Sequence, residues 1–147
     1  MPELESLVAG LCDRNPNAGY ACLVKLQEES RRSDTVYPCF DRFVKMLDSD
    51  NSYIRARGLL LIAANARWDK DNKIDEIIDY YLTHITDVKP TVARQFIAVL
   101  PEVAKFKPEL AGDICRALQC ANPGRYRSSM APLIQKDISR ALSQIEE

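Results

Sequence analysis

The chain has 147 residues, 46% of them hydrophobic and 28% charged, which suits one domain with a sizeable core and is too apolar for a disordered segment. Its 20 Lys+Arg against 21 Asp+Glu leave a formal net charge of -1, so there is no global positive field to hold a phosphate backbone and nucleic-acid binding is disfavoured. The longest uninterrupted apolar run, Leu59 to Ala64, falls far short of the roughly 18 residues of a membrane span.

Hydrophobic periodicity and punctuation predict eight helices, near residues 3–12, 17–30, 34–48, 52–67, 72–85, 88–105, 108–121 and 126–145. Ser33-Asp34, Asp50-Asn51-Ser52 and Asp71-Asn72 offer side-chain oxygens to the unpaired N–H groups of helix starts. Pro108 suits a first turn, and Asn122-Pro123-Gly124 breaks the chain before the last helix. No stretch alternates with the period of a β-strand, so the fold class is all-α.

Shifting the sequence by 37 residues brings Asp13, Asp50 and Asp87 into register. It also aligns the apolar pairs Cys22-Leu23, Leu59-Leu60, Phe96-Ile97 and Leu133-Ile134. A second helical stripe follows the same shift: Tyr37, Phe40, Val44 and Leu47 match Ile74, Ile77, Tyr81 and His84, then Ala111, Ile114, Leu118 and Ala121. Two helices cannot bury such a stripe alone, which predicts that about four two-helix repeats stack side by side into a right-handed α-solenoid, one repeat domain over residues 1–147. In the last helix Met130, Leu133, Ile134, Ile138, Ala141, Leu142 and Ile145 are expected to face inward, with Arg127, Gln135, Lys136, Ser139 and Arg140 outward.

The stretch Leu47-Asp48-Ser49-Asp50-Asn51-Ser52-Tyr53-Ile54-Arg55-Ala56-Arg57-Gly58 resembles the turn of a HEAT repeat, and Asp87-Val88-Lys89-Pro90-Thr91-Val92-Ala93-Arg94 resembles a looser copy. Through these, Gly58–Ala66 and Asp71–Ile78, the chain is similar to small bacterial HEAT-like (armadillo-type) repeat proteins. That resemblance implies a scaffold that presents the second helix of each pair on a concave face. With Leu60 and Ile97 taken as the inward direction, at about 100° per residue, the opposite sector holds Arg55, Gly58, Ile62 and Asn65, then Val92, Gln95, Val99 and Glu102, and finally Ser129, Pro132, Lys136 and Ser139. Ile62 and Val99 are expected to supply apolar contact and the polar residues to orient a peptide or helix; in the competing arrangement both aliphatic residues pack against the outer helices.

Arg57 and Arg94 share one repeat position, about 60° from the inward direction. They are expected to pair with the turn aspartates Asp50 and Asp87 as a structural ladder, the alternative being an anion site. His84 is expected to be a half-buried structural histidine, and Trp68 a packing residue at a helix end. Asp69-Lys70-Asp71-Asn72-Lys73-Ile74-Asp75-Glu76 begins like a calcium loop, but Lys73 replaces a ligand and Ile74 the glycine of the turn. Five cysteines without a Cys-x-x-Cys pair, beside one histidine, predict neither a disulfide framework nor a metal site. Cys39 aligns with the solvent residues Glu76 and Asp113 and is expected to carry an accessible thiol.

The residues Met1-Pro2-Glu3-Leu4-Glu5-Ser6 lack the basic and apolar regions of a secretory signal, so a cytoplasmic protein is expected. No nucleophile–base pair or Gly-rich phosphate loop is visible. The functional expectation is a non-catalytic, cofactor-free module that binds a protein partner along its inner helices, a third reading being a homodimer joined through the same stripe. The alternative is a HEAT-like nucleic-acid-binding protein or repair-type enzyme that uses Arg57, Arg94, Arg125 and Arg127.

Overall fold

A computed structural model describes the backbone of residues 2–146 and the side chains of residues 3–145. Among the described residues every regular element is helical and no strand occurs. The chain divides into two compact units, the first ending at Asp71 and the second starting at Asn72.

The first unit contains α1 (Pro2–Gly10), α2 (Pro16–Arg32), α3 (Phe40–Met46) and α4 (Ser52–Ala64). Asn15 starts α2 by accepting from the N–H groups of Asn17 and Ala18, and Asn51 starts α4 by accepting from those of Tyr53 and Ile54. Ser33 does not cap α3 as expected. It closes α2 instead, its N–H bonding to Glu29 O at 3.0 Å and its hydroxyl donating to the Glu29 carboxylate at 2.6 Å. That hydroxyl holds the Glu29 carboxyl below its ordinary pKa. Regular helix then waits until Phe40, because Pro38 lacks an N–H and disfavours helical backbone before it; a 3-10 turn, Tyr37–Cys39, bridges the gap.

Helix α2 packs on α1 and α4, and α3 packs on α4. The approach of α3 to α4 is close enough that a Cβ on Gly58 would fall 2.8 Å from Phe43 O and 3.0 Å from Met46 Cβ. Glu5 and Arg42, one 37-residue period apart on α1 and α3, meet at 2.8 Å. The core includes Leu11, Leu26, Phe40, Phe43, Leu47, Leu59, Leu61 and Ile62.

In the second unit α5 (Lys73–Leu82) runs into a 3-10 turn, Thr83–Thr86, and α6 (Pro90–Phe106) follows. Next come α7 (Ala111–Cys120) and α8 (Ala131–Glu146). Asn72 was expected to cap α5 through its side chain, but it takes the left-handed conformation at φ 57 and makes no cap bond. Its Oδ1 accepts from Lys107 Nζ at 2.7 Å, and asparagine is among the residues that tolerate this backbone region. Helix α8 starts five residues later than expected from 126, since Pro132 is compatible only with a first turn. Helix α6 packs on α7, α8 and the turn after α5, and α7 packs on α8. In each unit, then, the second helices of two consecutive hairpins lie together: α2 with α4, and α6 with α8.

The stripes found at the 37-residue shift are buried in part: Val44, Ile77, Ala111 and Ala121, and Cys22 and Leu60 of the aligned pairs, are half-buried. Tyr37, Phe40, Leu47, Ile74, Tyr81, His84, Ile114 and Leu118 are all buried. On α8, Ile134, Ile138 and Ala141 are buried as expected, whereas Leu133 is 37% exposed. No helix among the described residues is long and apolar enough to cross a membrane.

Candidate functional site

The inner-helix residues proposed to meet a partner divide sharply by unit. Ile62 and Asn65 are 0% exposed and Arg55 is 7% exposed, so none of the three is a surface residue. From Ile54 to Ala64 every residue of α4 is buried except Leu60, which is half-buried, so the residue taken as inward is the least buried of the run and the sector opposite it is core. Asn65 donates to Leu61 O and Ser30 Oγ, at 2.9 and 3.1 Å, and Arg55 donates to Ser49 O at 3.0 Å. The expectation that Ile62 points away from the core is corrected accordingly.

In the second unit Gln95 and Lys136 are exposed, while Val99 and Glu102 are half-buried. Beside them α6 and α8 leave a shallow cleft of about 170 Å³ lined by Ala98, Asp137, Arg140, Ala141 and Gln144. Ala98 lies one helical turn from Gln95 and from Glu102, which places all three on one face of α6. Alanines on both helices, Ala98 and Ala141, make the notch, because neither has a side chain long enough to fill the space between the helices. Arg94 closes the arrangement, its Nε donating to Asp137 Oδ2 at 2.6 Å and Nη2 to Oδ1 at 3.4 Å. That carboxylate raises the already high pKa of the guanidinium.

The ladder between arginines and turn aspartates is replaced by other bonds. Arg57, 3% exposed, donates to Leu11 O at 2.7 Å and Asp13 O at 2.9 Å, capping the end of α1. Arg94 takes Asp137. The aspartates turn to their own loops: Asp13 accepts from Asn15 N and Asp87 from Lys89 N, at 2.8 and 2.9 Å, while Asp50 lies 3.8 Å from Arg14.

Asp87 also anchors a cluster. His84 Nδ1 is 3.0 Å from Asp87 Oδ2, and Tyr126 donates from its hydroxyl to Asp87 O at 2.6 Å. Burial raises the Tyr126 phenol's pKa. His84 is 8% exposed, edge-on to the rings of Tyr80 and Phe96, and its Nε2 is buried without a hydrogen-bond partner. The contact between His84 and Asp87, three residues apart, joins the turn after α5 to the segment before α6.

Cys39 is buried, and desolvation raises its thiol pKa, which corrects the expectation of an accessible group. The alignment with Glu76 and Asp113 misled because position 39 sits in the 3-10 turn ahead of α3 and not on a helix face. Trp68 donates from its indole to Ser30 O at 2.7 Å, and Asp69 accepts from the Tyr37 hydroxyl at 2.6 Å, so the start of the calcium-like segment is occupied in joining helix ends. No group of three or more His, Cys, Asp or Glu among the described residues is placed to hold a metal ion. Sequence reasoning missed Lys107, 4% exposed, whose ammonium lies 2.8 Å from Asp75 and pins the start of α5 to the turn before α7. It also missed Asp137, which lies 43 residues from Arg94 and so falls outside the repeat register.

Comparison with protein-family models, with curated proteins and with solved structures gave no match.

Proposed function

We propose that the chain is a non-catalytic protein-interaction module of the cytoplasm, built as a HEAT-like solenoid of about four helical hairpins, that binds a peptide or helix on the face shared by α6 and α8. The observation that carries the reading is the α6–α8 cleft, where Ala98 and Ala141 open a notch lined also by Asp137, Arg140 and Gln144, with Asp137 ion-paired to Arg94. Val99 supplies apolar area, and Gln95, Glu102 and Lys136 supply orientation. The 37-residue period, the HEAT-like turn sequences and the in-register contact of Glu5 with Arg42 support the stacked-hairpin architecture.

The test is affinity capture with the tagged chain and a Val99→Glu/Lys136→Glu variant, both checked for equal helicity by circular dichroism. A specific protein retained by the wild type and lost by the variant is the expected result. A partner held equally by both would remove the α6–α8 face from the interaction.

A further inference from the structure

The turns that precede α6 and α8 form one surface. Arg125 donates to Thr86 O at 3.0 Å and Tyr126 to Asp87 O at 2.6 Å, which fixes the segment before α8 against the segment before α6. Lys89 follows directly, its backbone N–H held by Asp87 Oδ1 at 2.9 Å. Around this junction Lys89, Arg125 and Arg127 are exposed, and Val88 is 75% exposed, more than any other large hydrophobic residue described.

Apart from Asp87, no acidic side chain flanks these cations along the chain. Residues 88–101 and 114–136 contain no acidic side chain. The one carboxylate in these turns, Asp87, is 5% exposed and already engaged by His84 and the Lys89 N–H. Arg125 is preorganised, with its guanidinium 5.9 Å from the Tyr126 ring centroid and one N–H on Thr86 O, so further donors of the fork remain available to a ligand. A chain of net charge -1 thus carries a local patch of three cations around an exposed valine.

We infer that this edge is a docking surface for an acidic peptide segment, with Arg125, Arg127 and Lys89 meeting its carboxylates and Val88 meeting an aliphatic side chain. The inference rests on the reading of the chain as a peptide-binding module and adds the class of peptide it selects. Charge complementarity argues for this occupant: carboxylates spaced along a peptide match a small cluster of arginine forks, and the aliphatic contact has no counterpart in a sugar-phosphate backbone. Three cations on a near-neutral chain also give little of the extended field that a polynucleotide requires.

The experiment is fluorescence anisotropy with the full chain and a labelled twelve-residue peptide of Glu-Glu-Leu repeats, run beside the Lys-Lys-Leu and Gln-Gln-Leu counterparts and an oligothymidylate. The acidic peptide should bind most tightly, and Arg125→Glu/Arg127→Glu should weaken it about tenfold at low salt, each exposed pair contributing modestly. Raising salt from about 0.05 to 0.15 M should narrow that difference. Val88→Ser, which leaves the charges in place, should weaken binding without changing its salt dependence. Binding of the acidic peptide that resists the double charge reversal but is lost in Val99→Glu would overturn the edge and leave the module standing. No binding of any peptide would count against the module itself, and tighter binding of the oligothymidylate would overturn the peptide class.

Discussion

The guanidinium of Arg57 occupies the space where a side chain on Gly19 would begin: a Cβ built there would overlap Arg57 Cζ and both terminal nitrogens. The position is forced because the same guanidinium must reach Leu11 O and Asp13 O at the end of α1, and it crosses α2 to do so. Gly19→Ala should therefore expel a buried arginine from its bonds, with a net loss of about 1–2 kcal/mol after the gain of up to about 1 kcal/mol in helix propensity. In an Arg57→Ala background the same substitution should become stabilising. Urea denaturation of the four chains of this cycle checks the reversal of sign, and additive losses would sink the coupling.

Tyr37 and Asp69 form a second buried tie, with the phenol 7% and the carboxylate 4% exposed. Tyr37→Phe removes one donor from that carboxylate and should cost about 1.5–3 kcal/mol. Desolvation, and then the hydrogen bond to Asp69, raise the Tyr37 pKa above its ordinary value near 10. A raised pKa means that the folded state favours the protonated phenol. Its contribution is complete below about pH 10 and is lost as pH rises through the folded value. Stability measured from about pH 8 to 11 should fall less steeply for Tyr37→Phe than for the wild type; parallel curves would show that this phenol does not contribute.

How much of this was legible follows from what a period can and cannot encode. The shift of 37 residues marks part of the buried stripe: Phe40 and Ile114 are buried, whereas Ile77, aligned between them, is half-buried. It could not orient α4, since a helical wheel presumes a polar face and Leu59-Leu60-Leu61-Ile62-Ala63-Ala64 has none. That continuous run was itself the signal that Ile62 is buried. The arginines at positions 57 and 94 bond to Leu11 O, Asp13 O and Asp137 and not to the turn aspartates that the repeat register suggests. Backbone carbonyls carry no sequence signature, and Asp137 lies outside the register. The α6–α8 notch depends on Ala98 and Ala141 meeting across two helices, a coincidence of tertiary packing that neither helix announces alone.

Thiol chemistry separates the five cysteines by burial. Cys12 and Cys120 are exposed, whereas Cys39 is buried with its pKa raised by desolvation. Since the thiolate is the reactive form, an aromatic disulfide reagent at pH 8 should label Cys12 and Cys120 rapidly and Cys39 only as the chain unfolds. Peptide mapping after brief labelling identifies the sites. Early modification of Cys39 would mean that the turn before α3 opens in the native state.

The two arginines at one repeat position should differ in what they stabilise. Arg57 is 3% exposed and satisfies the carbonyls at the end of α1, so Arg57→Ala leaves buried acceptors behind and should cost about 2–3 kcal/mol. Arg57→Lys should recover little, because an ammonium lacks the planar fork that spans Leu11 O and Asp13 O. The Arg94 side chain is 41% exposed and bonds Asp137, whose side chain is 13% exposed, so solvent screens that pair. Arg94→Ala should therefore destabilise less than Arg57→Ala, and its effect should shrink in about 1 M salt, where charges are screened over roughly 3 Å. The Arg57→Ala loss should persist there. Equal salt sensitivity of the two variants in chemical denaturation would contradict this division, which assigns the first arginine to capping a helix and the second to fastening α6 to α8.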